Sequence, residues 1–246
     1  MPLKRSGPAR EPNGSAKAPI GVEAAEEARG DAAYRFLRQA ILANELPAGF
    51  QATEVDIAAR LGMSRTPVHE AMARLQEEGF VQILPRRGIL VKALTPSDLL
   101  EIYEILIGLE GAAAERLASL NESEETSRVL DELGSFTDRM EIALGRGDLD
   151  AWADADERFH DTLVSRCGNG RIRRMIETVA GQSQRARRLT LHLRPTPTQS
   201  VVEHRKIIEA IRDADPAEAG RAARVHRRGA RDQLVPILRR LNLTTL

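Results

Sequence analysis

Apolar residues in the first third of the chain recur every three or four positions, the spacing of a helix that buries one face. One helix is predicted to begin at Asp31 and to end before the turn at residues 47–49. A short second helix follows Thr53, which opens a capping-box motif, and a third runs from its N-cap Ser64 to Gly79. The apolar positions of the three helices are Ala33, Phe36, Leu37, Ala40 and Ile41, then Ile57, Ala58 and Leu61, then Val68, Ala71, Met72 and Leu75.

The spacing changes after Gly79, where two short runs of strand-forming residues flank a turn. The runs FVQIL and ILV stand on either side of residues 85–88, which predicts a β-hairpin. Three helices followed by a hairpin make a winged helix-turn-helix domain, which we place at residues 31–94. Residues 1–30 are rich in Pro, Gly, Ala and Ser, and we interpret them as a disordered tail.

The remainder of the chain has a helical pattern throughout, and no segment of it is typical of a strand. Helices are predicted at about 97–119, 123–145, 148–166, 170–191, 197–213 and 216–242, with glycines and prolines between them. Ser97 or Thr95 is expected to cap the first of them. The predicted fold class is therefore mainly α: an N-terminal winged helix-turn-helix plus a C-terminal all-α helical bundle at residues 95–246.

The composition indicates the cellular compartment of the protein but does not identify its function. Lys and Arg number 36 and Asp and Glu number 36, so no overall charge attracts nucleic acid, although a local basic surface is sufficient for that. The single Cys167 excludes an intrachain disulfide and fits a reducing compartment. No apolar run approaches the roughly 18 residues of a membrane span, and residues 1–30 do not form a secretory signal. We expect a cytoplasmic protein with no membrane partner.

Polar and basic residues gather at two places in the first domain, the start of the third helix and the hairpin turn. The N-terminus of such a helix can enter the major groove of DNA while a basic wing reaches the backbone or the minor groove. The pattern alone also fits a solvated helix beside an ordinary hairpin. The candidate DNA-binding residues are Ser64, Arg65, Thr66, His69, Arg86, Arg87 and Gly88.

Four polar residues stand out among the apolar positions of the predicted bundle. Asp156 and His160 are four residues apart and share one helix face, while His204 and His226 lie in the last two predicted helices. If these helices meet, one carboxylate and three imidazoles suit a divalent transition metal: Zn, Ni, Mn or Fe. Spacing does not show that distant helices converge, so an ordinary ion pair with separately satisfied histidines stays open.

The first domain also resembles a known family. ARLGMSRTPVHEAMARLQEEGFV, followed by RRGILV, resembles the amino-terminal domain of the GntR family of bacterial repressors. The resemblance implies that Arg65 reads a base, that Thr66 contacts a phosphate or base, and that Arg87 and Gly88 form the wing tip. His69 stands where the family usually has Arg, and a neutral His cannot make the bidentate pair of Arg with guanine. We expect the operator preference or affinity to change accordingly.

The second half resembles a partner domain of the same family. DERFHDTLVSRCGN, VEHRKIIEAI and the AARVH segment resemble the effector domain of the FadR subfamily, called FCD. The resemblance implies that Asp156, His160, His204 and His226 bind one metal ion. It also implies a domain that binds a small molecule and pairs as a homodimer.

One further position departs from the family pattern. Within IYEILIGLEGAAAERLA, family members commonly have Arg at the position of Leu106, facing the effector pocket, with Tyr103 and Glu110 in register. Either the missing charge comes from another helix or the effector is less acidic than usual. The candidate effector-binding residues are Tyr103, Arg185, Arg187 and Arg188.

The leading hypothesis is a transcription regulator, predicted to be a repressor and not an enzyme. A homodimer would bind a palindromic operator in double-stranded DNA, and a small effector, expected to be an organic acid, would modulate that binding. The alternative is a metal-dependent hydrolase of the HD type fused to a DNA-binding domain, because His160 and Asp161 are adjacent. A third option is a metal sensor in which the ion itself is the signal.

Overall fold

Residues 20–120 and 123–241 are described by the structure, a computed structural model, and are mainly helical. The first part contains three helices and three strands, and the second contains six α-helices and one 3-10 helix. The elements of the first part are α1 (Ile20–Leu42), β1 (Gln51–Ala52), α2 (Glu54–Leu61), α3 (Arg65–Glu77), β2 (Val81–Leu84) and β3 (Gly88–Val91). Those of the second are α4 (Pro96–Ala118), α5 (Glu124–Gly145), α6 (Leu149–Ser165), α7 (Gly170–Leu189), the 3-10 helix Leu191–Leu193, α8 (Thr198–Arg212) and α9 (Pro216–Arg240).

The first part is a winged helix-turn-helix, as the sequence predicts. The strands form one antiparallel sheet in the order β1-β3-β2, in which Val81 pairs with Val91 and Leu84 with Gly88. The hairpin was predicted, whereas the two-residue strand β1 was not, because it is too short to show an alternating pattern. The apolar residues of α3 are fully buried against α1 and the sheet; they are Val68, Ala71, Met72 and Leu75.

Two expectations about α1 were wrong. The helix begins at Ile20 rather than Asp31, so residues 20–30 are not part of a disordered tail, and residues 1–19 lie outside the described residues. Residues 23–28, EAAEEA, consist of good helix formers, and their propensity outweighs the loop-like composition before them. Phe36 is 43% exposed and does not belong to the buried face of α1, which consists of Ala33, Leu37, Ala40 and Ile41.

Local capping explains most helix boundaries. Thr53 forms the expected capping box with Asp56, and Thr95 forms a second one with Asp98, so Thr95 is the cap rather than Ser97. Ser64 has the extended backbone of an N-cap, although its side chain makes no capping hydrogen bond within the described residues. Gly79 follows the end of α3 with a φ of +75°, which glycine adopts without strain.

The second part is the predicted all-helical bundle, with each predicted helix present and its ends within about three residues. One apolar core lies among α4, α5, α6, α8 and α9, and another lies among α4, α6, α7 and α9. Helix α9 packs along α4 and also on α8, which places it in both cores. Within the described residues, no helix is long and apolar enough to cross a membrane.

Candidate metal centre and nucleic-acid interface

Three helices of the bundle bring the predicted metal ligands together. Helix α6 carries Asp156 and His160, α8 carries His204, and α9 carries His226. One ligand atom from each side chain lies within 4.8 Å of the other three, and all four residues are buried. The sequence thus named four residues that the fold does collect at one point.

The three imidazoles face one another through the same nitrogen. Nε2 of His204 lies 3.4 Å from Nε2 of His160 and 3.2 Å from that of His226, and the last two are 3.2 Å apart. An oxygen of Asp156 lies 3.8 Å from Nε2 of His160 and 3.7 Å from that of His204. With metal–nitrogen bonds of about 2.0–2.1 Å, neighbouring ligand atoms lie about 3.0–3.4 Å apart, so the nitrogen triangle already has the size of a coordination face.

Carboxylates lie beside the Nδ1 atoms of two of the rings, on His226 and His160. Nδ1 of His226 makes a 2.9 Å hydrogen bond with Glu203, and Nδ1 of His160 lies 3.0 Å from Glu110, at an angle outside hydrogen-bonding geometry. A proton on each Nδ1 leaves both Nε2 lone pairs pointing at one another. Lone pairs in this arrangement repel unless a cation lies between them, so the donor set fits a metal ion.

The protonation states also fit a metal ion. Burial lowers the pKa of His160 and of His204 well below the usual value, and the positive charge of Arg227 acts in the same direction. Burial alone would raise the pKa of Asp156, but the positive charge of its neighbours, that of Arg187 foremost, outweighs it and holds that pKa below its ordinary value. Neutral imidazoles and an ionised carboxylate are the forms that bind a divalent transition metal.

The candidate DNA-binding residues lie at two exposed points of the winged helix. Ser64, Arg65, Thr66 and His69 are exposed at the start of α3, whereas the neighbouring Pro67 is buried. Glu54 of α2 accepts a 2.9 Å hydrogen bond from Arg65 and lies 2.7 Å from Nδ1 of His69. These side chains therefore share one surface at the helix N-terminus.

The wing has a constrained turn. Arg86 and Arg87 are exposed at its tip, and Arg86 has a φ of +63°. Gly88 lies against β1, where a Cβ would overlap the carbonyl oxygen of Ala52 and lie 2.5 Å from Cα of Thr53. The structure gives Gly88 a backbone-packing role, which the sequence pattern did not reveal.

Two family models match the chain along these same domains. Residues 29–91 match the model of bacterial regulatory proteins of the gntR family, and residues 101–229 match the FCD domain. The chain belongs to the GntR family.

Relatives of this GntR-family chain include proteins named as regulators. An uncharacterised HTH-type transcriptional regulator in the TAR-I ttuE-ttuC' intergenic region of Agrobacterium vitis is 54% identical over 59% of this chain and 84% of that protein. An uncharacterised HTH-type transcriptional regulator in an unstable DNA locus of Streptomyces ambofaciens is 32% identical over 82% of this chain and 83% of its own. A probable D-xylose utilization operon repressor of Paenarthrobacter nicotinovorans is also 32% identical, over 78% and 82%.

A solved structure supports the fold of the GntR-family chain. The putative GntR transcriptional regulator from Rhodococcus sp. RHA1 superimposes with a TM-score of 0.68, covering 85% of this chain and 98% of that one at 22% identity. The matched family models and the named relatives, rather than this structure, show that the chain is a transcription regulator with a GntR winged helix and an FCD domain.

The candidate effector-binding residues of this GntR-family chain do not all lie at the same place. Arg187 lies at the candidate metal centre, where it donates a hydrogen bond to Asp156. Arg185 instead donates a 2.7 Å hydrogen bond to the carbonyl of Lys92 in the linker, and Arg188 pairs with the exposed Asp154 at 2.5 Å. Tyr103 is buried, and its hydroxyl has no hydrogen-bond partner among residues 20–120 and 123–241.

Three charged residues near the centre were missed by sequence reasoning. Arg227 makes two buried hydrogen bonds to Glu110, Glu203 supports His226, and Arg194 is buried at its Nε and Nη2 atoms. Arg227 and Glu203 directly neighbour His226 and His204 in the sequence, which was the available signal. Arg194 lies in a loop without periodicity and gave none.

The hydrolase alternative gains no support in this GntR-family chain. Asp161 is exposed, whereas the adjacent His160 is buried in the cluster, so the two side chains do not face a common metal site. The matched domains and the named relatives are those of regulators.

Proposed function

We propose that the chain is a homodimeric repressor that binds a palindromic operator in the bacterial cytoplasm and responds to a small organic acid bound near a metal ion. The observation that carries this proposal is the convergence of four metal-type donors in the same chain as a winged helix. A two-fold dimer presents two copies of α3 to one face of the duplex, which is the reason to expect a palindrome.

The DNA contacts proposed here follow from exposure and chemistry. Arg65 can read guanine from the major groove, while Ser64 and Thr66 at the helix N-terminus suit phosphate oxygens. His69 presents Nε2 beside them, because its Nδ1 faces Glu54. Arg86 and Arg87 of the wing would contact the backbone, with Gly88 keeping the wing packed on β1.

The metal would be held by Asp156, His160, His204 and His226. A bound Zn, Ni, Mn or Fe ion would tie three helices together and supply a positive centre that attracts a carboxylate. The residues around it prepare the site: Glu203 orients the ring of His226, Glu110 lies beside Nδ1 of His160, and Arg187 keeps Asp156 ionised.

Helix α7 joins this centre to the DNA-binding domain. Arg187 contacts the ligand Asp156, and within two turns of it Gln182 donates a 2.7 Å hydrogen bond to the carbonyl of Glu78 at the end of α3. Arg185 holds the linker at Lys92. We infer that a ligand that repositions Arg187 shifts α7 and, through it, the end of α3.

The contact between α7 and the winged helix is closely fitted. Gly181 faces the buried ring of Phe80, and a Cβ on residue 181 would lie 2.6 Å from that ring. Arg38 of α1 donates a 3.1 Å hydrogen bond to Gln184. Such a packed contact responds to a shift by repacking rather than by gradual deformation, which suits a two-state switch.

Operator binding with and without metal tests the proposal. Random duplex DNA would be enriched with the purified full chain, and affinity for the enriched sequence would be measured by fluorescence anisotropy, with zinc or after chelation. We expect a palindromic sequence and an affinity that a small acid changes. Gln182→Ala should remove the effect of the acid, whereas Arg174→Gln, on the exposed side of the same helix, should retain it.

The outcomes separate the alternatives. Failure to enrich any duplex would contradict the DNA-binding proposal. An affinity that responds to the metal alone, with no effect of any acid, would favour the metal-sensor option.

A further inference from the structure

A small cavity lies beside the metal-ligand cluster, and its lining includes Asp156 and His226. Its volume is about 110 Å³, and it is bounded by α6, α8, α9, the loop that follows the 3-10 helix, and Arg187 of α7. The residues on which the inference rests are Trp152, Asp156, Arg194, Ser200, His226 and Arg227.

The walls of this cavity contain several buried donors that have no hydrogen-bond partner within the described ranges. They are the indole nitrogen of Trp152, the hydroxyl of Ser200, Nη1 of Arg227, and both Nε and Nη2 of Arg194. Buried polar groups in proteins are nearly always paired, so an unpaired set on one cavity indicates a ligand. Because these groups are mainly donors, the ligand should be rich in acceptors.

Among the described residues, the charged groups on the cavity wall are paired in all cases but one, and the carboxylate of Glu203, which also lines the cavity, is hydrogen-bonded to His226. Arg187 is paired with Asp156, and Arg227 is paired with Glu110. Arg194 has no carboxylate within ion-pair distance in the part of the chain that the structure describes, and it lies over the Trp152 ring at 5.1 Å. A guanidinium stays protonated in proteins, and a largely buried positive charge requires a counter-charge.

Size and stiffness restrict the class of ligand. A volume of about 110 Å³ is well below the roughly 300–1000 Å³ of sites for drug-sized molecules. Pro195 and Pro197 fix the backbone on either side of Thr196, so the loop that carries Arg194 has few alternative conformations. The cavity suits an acid of about two to four carbons and excludes long acyl chains.

We propose that this cavity binds the carboxylate of a small organic acid through Arg194, with Trp152 and Ser200 as further donors. The inference rests on the proposed function in one respect, since it assigns the site of the effector. Arg194 would then provide the charge that Leu106 does not. Arg185 and Arg188 do not line this cavity, and Arg187 lines it but is already paired with Asp156. The rest of the acid would point toward Asp156 and His226, where a bound metal ion lies within reach.

Binding of propionate to the full chain tests this site. Calorimetry would compare propionate with propionamide, which has the same shape without the charge, and with octanoate, which is too long. We expect binding of propionate only. Arg194→Gln should weaken it by about tenfold or more, Arg194→Lys should restore part of it, and Trp152→Phe should weaken it while keeping the aromatic packing.

Two controls make the result specific. Arg212→Gln removes an exposed guanidinium at the end of α8 and should leave propionate binding unchanged. The metal content of each variant, measured by elemental analysis, should stay the same, because Arg194 is not one of the proposed metal ligands.

The outcomes distinguish this inference from the proposed function. Equal binding of propionate and propionamide, or unchanged binding by folded Arg194→Gln, would overturn the assignment while leaving the metal centre intact. Absence of metal together with retained, Arg194-dependent propionate binding would contradict the metal centre and support the cavity.

Discussion

At the scale of single residues, Glu54 connects two of the candidate DNA contacts. Its carboxylate accepts hydrogen bonds from His69 and Arg65, and these lower the pKa of Glu54 below its usual value. The carboxylate therefore stays ionised and orients both side chains before DNA arrives. To contact DNA, Arg65 or His69 first has to leave Glu54, so the measured binding energy of either contact is reduced by the cost of breaking that hydrogen bond.

Arg65→Ala should weaken specific operator binding by about 1–3 kcal/mol, the contribution of a good bidentate base contact. Arg87→Ala in the wing should weaken binding with less change of sequence preference, because phosphate contacts carry no sequence information. Competition binding against a panel of single-base operator variants checks both. An unchanged affinity and preference for Arg65→Ala would show that α3 does not dock as proposed.

His69→Arg restores the residue that the family usually has and adds a permanent positive charge. We expect tighter binding and a steeper salt dependence, by up to about 0.9 in the slope of log affinity against log salt. Titrations at several salt concentrations measure this slope. If slope and affinity both stay the same, His69 does not face the DNA.

His204→Ala should abolish most of the stabilisation that a metal ion provides. Binding to the folded state alone stabilises by about 2.7 kcal/mol at a hundredfold excess over the dissociation constant. His192→Ala is the matched control, since His192 is exposed outside the cluster. Melting curves with and without chelator compare the variants. If chelator changes the melting temperatures of all the proteins by the same amount, these histidines do not bind a metal ion and have an ordinary structural role.

At the scale of elements, the wing depends on a close approach between β3 and β1. Gly88 has a φ of +83° and no room for a Cβ, while Gly62 has a φ of +62° and open space around it. The two glycines have the same kind of backbone conformation but different surroundings. They make it possible to separate backbone strain from steric overlap.

Gly88→Ala should destabilise the winged helix by more than Gly62→Ala does. Gly62→Ala should cost about 1–2 kcal/mol for its left-handed conformation, and Gly88→Ala should add the cost of displacing β1. Thermal unfolding gives the difference, and operator binding shows whether the wing is displaced. Equal destabilisation would mean that β1 moves away freely.

At the scale of the whole molecule, the buried histidines link the stability of the metal-free protein to pH. The folded state keeps His160 and His204 neutral, because burial lowers their pKa well below the usual value. The unfolded state takes up protons below a pH of about 6.5. The unfolded state therefore binds more protons, and stability falls as the pH drops.

We expect the free energy of unfolding of the metal-free protein to decrease below about pH 6.5. Each neutral histidine contributes at most about 1.4 kcal/mol per pH unit, until the folded state also takes up the proton. Denaturant titrations between pH 5 and 8 give the slope. His192→Ala should leave it unchanged, whereas a shallow slope identical in a His160→Ala variant would contradict the burial argument.

The sequence by itself determined the periodic elements of this protein. Stripes such as Val68, Ala71, Met72 and Leu75 predicted helices because apolar residues at that spacing must be buried together. Start signals such as Asp215 followed by Pro216 placed the beginning of α9 closely, since capping is local chemistry. Family motifs named the four candidate metal ligands.

Only the tertiary structure decided what surrounds those ligands. Arg194 lies in a loop without periodicity, and Arg227 meets Glu110 from a helix 117 residues away in the sequence. Gly88 is required by the approach of β1, a strand too short for any pattern. Contacts between distant segments depend on how whole helices pack, and local spacing does not record that packing.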